Sequence, residues 1–189
     1  MSRKVFEYGG IAASVMLILF GLGSIGIGVA GMNEVRDKLA QENIVGTEDS
    51  TIPGQKVDTG SEAKAFADVM RKHALESTGG LTYAEMGRYQ SAANPSDPAG
   101  TSDEAAAAKD ESGEPVSNGA RNIWVTETAL ATALNVSFFA ERVALFSIVM
   151  GAALLLTGIG FLVLTLGGAL GWVALPRRSK SLSTASAAT

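Results

Sequence analysis

Hydrophobic and polar positions divide the chain into two long apolar stretches around a polar middle. No ionisable residue occurs from Gly9 to Met32, and none occurs from Val143 to Leu175. About 24 helical residues at 1.5 Å each reach about 36 Å, enough to cross a bilayer. The second run is longer, so Ala152 to Leu175 is the expected span and Val143 to Met150 an apolar extension above the lipid that some other surface must cover. In the first run Gly10, Ser14, Leu17, Gly21, Ser24, Gly28 and Gly31 recur at steps of four and three. In the second, Ala153, Thr157, Gly160, Leu164, Gly167, Gly171 and Ala174 do the same. Small residues along one face let two helices approach closely, and the lone Leu of each stripe offers a knob to the other's hole. The pattern predicts an antiparallel hairpin whose paired residue numbers sum to about 184 or 185, setting Leu17 against Gly167, Leu164 against Gly21 and Ser24 against Gly160.

The middle reads as helices and loops. Nothing from Asn33 to Ala40 breaks a helix, so the first span continues outward and stops near Gly46. Thr47 to Gly60 is a loop with Pro53-Gly54 as its turn. Thr59 and Glu62 form a capping box before Phe66, Val69, Met70 and His73, which keep helical spacing up to Ser77 and the Gly79-Gly80 stop. Thr82 and Glu85 form a second box, with Leu81 and Met86 as its hydrophobic staple. Ser91 to Gly119, rich in small and polar residues, reads as a mobile loop with a brief helix over Asp103 to Lys109. From Asn122 or Thr126 an unbroken helix is expected to run into the second span and stop at Pro176, before a disordered tail. The predicted fold is all-α: an antiparallel two-helix transmembrane hairpin extended into a small helical extracytoplasmic domain. Its divisions are 1–8 inside, 9–32 first span, 33–142 outer domain with loop 91–119, 143–175 second span and 176–189 tail.

Charge orients this hairpin. Arg3 and Lys4 precede the first span and Arg177, Arg178 and Lys180 follow the second, whereas the connecting segment holds about 18 acidic against about 10 basic side chains. Both termini are therefore expected inside, with Tyr8, Trp172 and Phe6 as aromatic anchors at the inner interface. A cleaved signal peptide ending near Gly28-Val29-Ala30 is the rival reading, but the apolar part is long for one and its small-residue stripe exceeds what secretion requires. The absence of cysteine excludes disulfides, thiolate metal sites and thiol catalysis. A net charge of -4 without basic clusters makes nucleic acid a poor partner.

Candidate chemistry is sparse. His73 is the only histidine, so one chain cannot supply a two-histidine, one-carboxylate iron site. Glu48-Asp49 and Asp110-Glu111 lack the alternating ligand spacing of a calcium loop and read as solvated charge. Thr126, Thr128, Thr132 and Ser137 have no nucleophile turn or base beside them. Asn135-Val136-Ser137 matches a glycosylation sequon, but within a helix. Neither span carries an ionisable group or a proline between its ends, which disfavours ion-coupled transport.

Four stretches together carry a likeness: Glu7 to Ala12, Val57 to Gly60 with the helix after it, Thr82 to Tyr89, and Asn118 to Leu130. Through them the chain resembles a family of uncharacterised two-span membrane proteins of actinobacteria and related high-GC bacteria, nearly over its full length apart from Ser91 to Pro115. The resemblance implies cytoplasmic termini and brings no activity with it. Some members carry a label naming an aromatic ring-opening dioxygenase subunit; this sequence departs from such an enzyme in its single histidine, its lack of an iron-ligand set and its lack of a soluble catalytic domain.

The expectation is a non-enzymatic integral membrane protein without cofactor or metal, serving as a scaffold, assembly or accessory subunit. Its partners would be the bilayer and another membrane or extracytoplasmic protein, including a second copy of itself. Phe66, Met70, Trp124, Phe138 and Phe139 are the candidate partner or ligand surface. The alternative is a membrane-anchored sensor or ligand-binding module with an apolar pocket in the outer domain, which an enclosed cavity with a few converging polar groups would favour.

Overall fold

A computed structural model describes residues 3–168. The described chain is all-helical: α1 spans Arg3–Gln41, α2 Gly60–Ser77 and α3 Gly119–Leu166, with a single helical turn at Tyr83–Glu85. Two of these helices, α1 and α3, are long and apolar enough to cross a membrane. They pack on each other as a helical hairpin, and the chain divides into two compact units, one built from Met1–Gly26 with Ser147–Thr189 and one from Ile27–Phe146.

In the first unit, α1 presents the stripe expected of it. Ser14 and Gly21 are buried and Gly10, Leu17 and Ser24 half-buried. The facing stripe of α3 differs from the expected one. Gly151, Gly158 and Thr165 are buried, with Ile148, Leu155 and Leu162 half-buried between them, whereas Ala153, Thr157, Gly160, Leu164 and Gly167 are exposed. The two stripes lie two residues apart, about 200° around a helix, so the expected one points away from α1. The register moves with it. A β-carbon added at Gly21 would lie 2.7 Å from the backbone of Gly151 and of Leu155, and one at Gly158 would meet Leu17 and Ile18. One at Gly10 would meet Thr165, while Gly160 has open space around it. Paired numbers thus sum to about 175, an offset of roughly 14 Å from the expected pairing. The buried hydroxyls are compatible with this interface because each bonds within its own helix, Ser14 to the Gly10 carbonyl and Thr165 to that of Phe161, both at 2.7 Å.

α3 stops at Leu166, not at Pro176. Gly167 N–H donates to the Val163 carbonyl at 2.8 Å, and Gly168 turns the chain with φ 75°. The charge-free helical part of α3 is then Val143 to Leu166, about 24 residues, the same length as Gly9 to Met32. Within the expected overhang, Val143, Leu145, Phe146, Val149 and Met150 are exposed apolar positions. Gly171, Ala174, Trp172 and the expected tail lie outside the described residues.

In the second unit, α1 ends at Gln41, earlier than Gly46, because Asn43 adopts a left-handed backbone (φ 53°) and breaks the helix. The following loop pairs Val45 with Lys56 across the Pro53-Gly54 turn. Thr59 and Glu62 form the expected capping box of α2. Leu39, Val57, Ala63, Ala67, Ala131 and Leu134 make one buried cluster; Ala74, Met86 and Trp124 make a second. Glu85 accepts from both Thr82 N–H and Thr82 Oγ at 2.7 Å. Between Gly87 and Asn118, extended segments pair through Tyr89–Thr101, Tyr89–Ser117, Ser91–Ala107 and Lys109–Pro115, and no helix forms over Asp103 to Lys109. Aspartates 97, 103 and 110 each cap a tight turn there with a side-chain oxygen, a use that competes with helix formation. α3 starts at Gly119, ahead of Asn122, because buried Asn118 caps it through Ala120 N–H while donating to the Gly87 and Pro98 carbonyls.

Candidate binding site

Above its buried cluster the second unit leaves a half-open apolar cleft of about 620 Å³. Leu39 and Ile44 form one wall, Phe66 and Met70 of α2 another, and Leu130, Ala133 and Leu134 of α3 the third, with Lys38, Glu42 and Ser137 supplying polar atoms. The helical spacing that gives α2 its apolar face brings Phe66 and Met70 to the same side, one turn apart. A second, shallow and open cavity of about 510 Å³ shares Met70 with it. Its other lining residues include His73, Ala74, Ser77, Asn122, Ile123, Thr126 and Glu127.

The three helices that make the cleft are tied below it by Glu141, which is 7% exposed. One carboxylate oxygen accepts from Arg36 Nε of α1 and the other from Gly60 N–H at the start of α2, each at 3.0 Å. An N-terminal helix amide is a favourable place for a carboxylate. Gly60 is required for this approach, since a β-carbon there would lie 2.8 Å from Phe138 Cα. Beside it Arg142 donates to Ser61 Oγ at 3.0 Å and covers the Phe138 ring.

The five sequence-predicted surface residues separate. Phe66 and Met70 meet in the cleft. Trp124 is core, 3% exposed, its indole N–H donating to the Leu81 carbonyl at 2.8 Å beneath the Arg71 guanidinium. Phe138 lies half-buried under Arg142, and Phe139, one residue on, faces outward at 68% exposure. Adjacent helical residues cannot share a face, so the aromatic pair could not form one surface. His73 is held by Asp49, whose carboxylate also takes Lys72 and Thr47. The Lys72 ammonium first, then His73 and Thr47, hold that carboxyl well below the usual carboxylate range. Among the described residues no three His, Cys, Asp or Glu side chains gather to hold a metal ion.

Sequence reading missed Glu127 and Glu141, both buried, and Asn118. The signal for Glu127 was present: with Trp124, Ala131 and Leu134 it completes a four-three spacing that defines the buried face of α3. No protein-family model, no curated protein and no solved structure matches this chain.

Proposed function

We propose that the protein is a membrane-anchored binding module without catalytic chemistry, set in a bacterial plasma membrane with both termini in the cytoplasm. Its outer unit receives a small, largely apolar ligand in the Phe66–Met70 cleft. The carrying observation is that cleft: its volume falls in the range of small-molecule sites, its walls are apolar, and a few polar groups ring it. The orientation rests on the Lys and Arg residues flanking the two apolar helices. That α1 runs unbroken through Gly28-Val29-Ala30 and packs on α3 supports an anchor in preference to a cleaved leader.

The scaffold reading is weakened, since Trp124, part of the aromatic surface that motivated it, is core, and Phe138 and Phe139 face different ways. It keeps the support of exposed Val136 and Phe139. Thermal unfolding of the full chain in lipid nanodiscs distinguishes the two. Phenylbutanol is expected to raise the melting temperature of the wild type, and Ala133→Trp, which fills the cleft from its exposed wall, to abolish that rise. No rise in the wild type, or an equal rise in the variant, contradicts the binding reading.

A further inference from the structure

The second cavity contains a group that the cleft alone does not explain. Glu127 lines it at 7% exposure, and among the described residues the donor to its carboxylate is the neighbouring Thr128 hydroxyl, at 3.3 Å to Oε2, while the carboxylate is not sealed from solvent. A carboxylate has room for about four hydrogen bonds, and buried ones are ordinarily paired with a cation. Among the described residues no Lys, Arg or His forms an ion pair with it. The basic side chains of α2 beside Met70 are engaged elsewhere: Arg71 over the Trp124 ring, Lys72 and His73 on Asp49.

We infer that the ligand carries a protonated primary amine, received by Glu127, with its apolar body in the adjoining cleft. This rests on the binding reading above and adds the chemical class of the ligand. An ammonium group has three donors. Glu127 takes one, and Ser77, Asn122 and Thr126 supply side-chain oxygens on the same cavity for the others. Ala74, Ile123 and Met70 give that cavity its apolar lining, and a charged donor and acceptor make the stronger kind of hydrogen bond there. Met70, common to both cavities, sits where the polar head gives way to the apolar body. The same carboxylate repels an acidic ligand of equal shape.

Titration calorimetry on the full chain in nanodiscs tests this with phenylbutylamine, phenylbutanol and phenylbutyrate. The amine is expected to bind at least about tenfold more tightly than the alcohol, the gain of one charge-assisted hydrogen bond, and the acid more weakly than either. Glu127→Gln should bring the amine down to the level of the alcohol. Ile123→Trp, which narrows the cavity and leaves the carboxylate in place, should remove the same preference, and it serves if the Gln variant does not fold. Equal binding of amine and alcohol to the wild type, or an amine preference that survives in Glu127→Gln, overturns the inference while leaving the cleft reading intact. Failure of all three to bind overturns both.

Discussion

Arg36 and Glu141, 105 positions apart in sequence, are joined by a 3.0 Å hydrogen-bonded ion pair whose carboxylate is almost fully buried and whose guanidinium is half exposed. Because the other carboxylate oxygen takes the first amide of α2, one side chain fixes three helices at the base of the cleft. Glu141→Ala leaves that amide without its partner and is expected to lower stability by about 1–3 kcal/mol. Arg36→Gln should cost less, because it keeps a neutral donor for the carboxylate and leaves the Gly60 amide paired. Thermal unfolding of both variants checks the order, and an equal or inverted ranking would count against it.

Two glycines of α1 separate packing from exposure. Gly21 faces the backbone of α3, whereas Gly23 has nothing within 4 Å. Gly21→Ala is expected to destabilise the hairpin by about 1–3 kcal/mol, since the facing neighbours are backbone atoms that cannot turn aside. Gly23→Ala should be neutral or stabilising by up to about 1 kcal/mol through helix propensity. Unfolding in detergent, followed by circular dichroism, measures both.

Asp49 gives a pH dependence of definite sign. Its folded-state pKa lies below the ordinary value of 3.8, chiefly through Lys72. A carboxyl so depressed contributes stability that is present above pH 3.8 and lost as pH falls through the folded value. Asp49→Asn should therefore be less stable than the wild type near neutrality, and the gap should close on acidification below 3.8. The gap is small, because the pair is exposed. A gap that widens in acid would contradict the assignment.

Much of the fold was legible because apolar length, capping boxes and the small-residue stripe of α1 each have a single structural use. Thr59 with Glu62, and Gly10 to Gly31, sit where their spacing places them. The facing stripe of α3 was not legible. Small residues occur on both sides of that helix, and Thr157 satisfies its hydroxyl on the Ala153 carbonyl at 2.7 Å, so it can face lipid without a partner. Composition also failed over Gly87 to Asn118, where aspartate-capped turns and backbone pairing order a segment that buries few large side chains. Of the candidate site, α2's period gave Phe66 and Met70 their shared wall. The cavity carboxylate was hidden because a charged residue does not announce burial unless the apolar residues around it are counted with it.

The corrected register can be read by crosslinking, helped by the absence of native cysteines. A β-carbon at Gly31 would lie 3.9 Å from that of Ala144, within disulfide range. Gly31→Cys with Ala144→Cys should oxidise readily within one chain. Ser24→Cys with Gly160→Cys, the pair favoured by the sequence pattern, should not; the reverse outcome would restore the earlier pairing.

The most direct measurement of ligand binding is the methyl resonance of Met70, the side chain shared by both cavities, in full-length protein carrying ¹³C-methyl methionine in nanodiscs and assigned with Met70→Leu. Saturable movement of that resonance with phenylbutylamine, reduced in Ala133→Trp, is the predicted result. A Met70 signal that stays still while Met16, exposed on α1, responds would contradict a ligand site in the second unit.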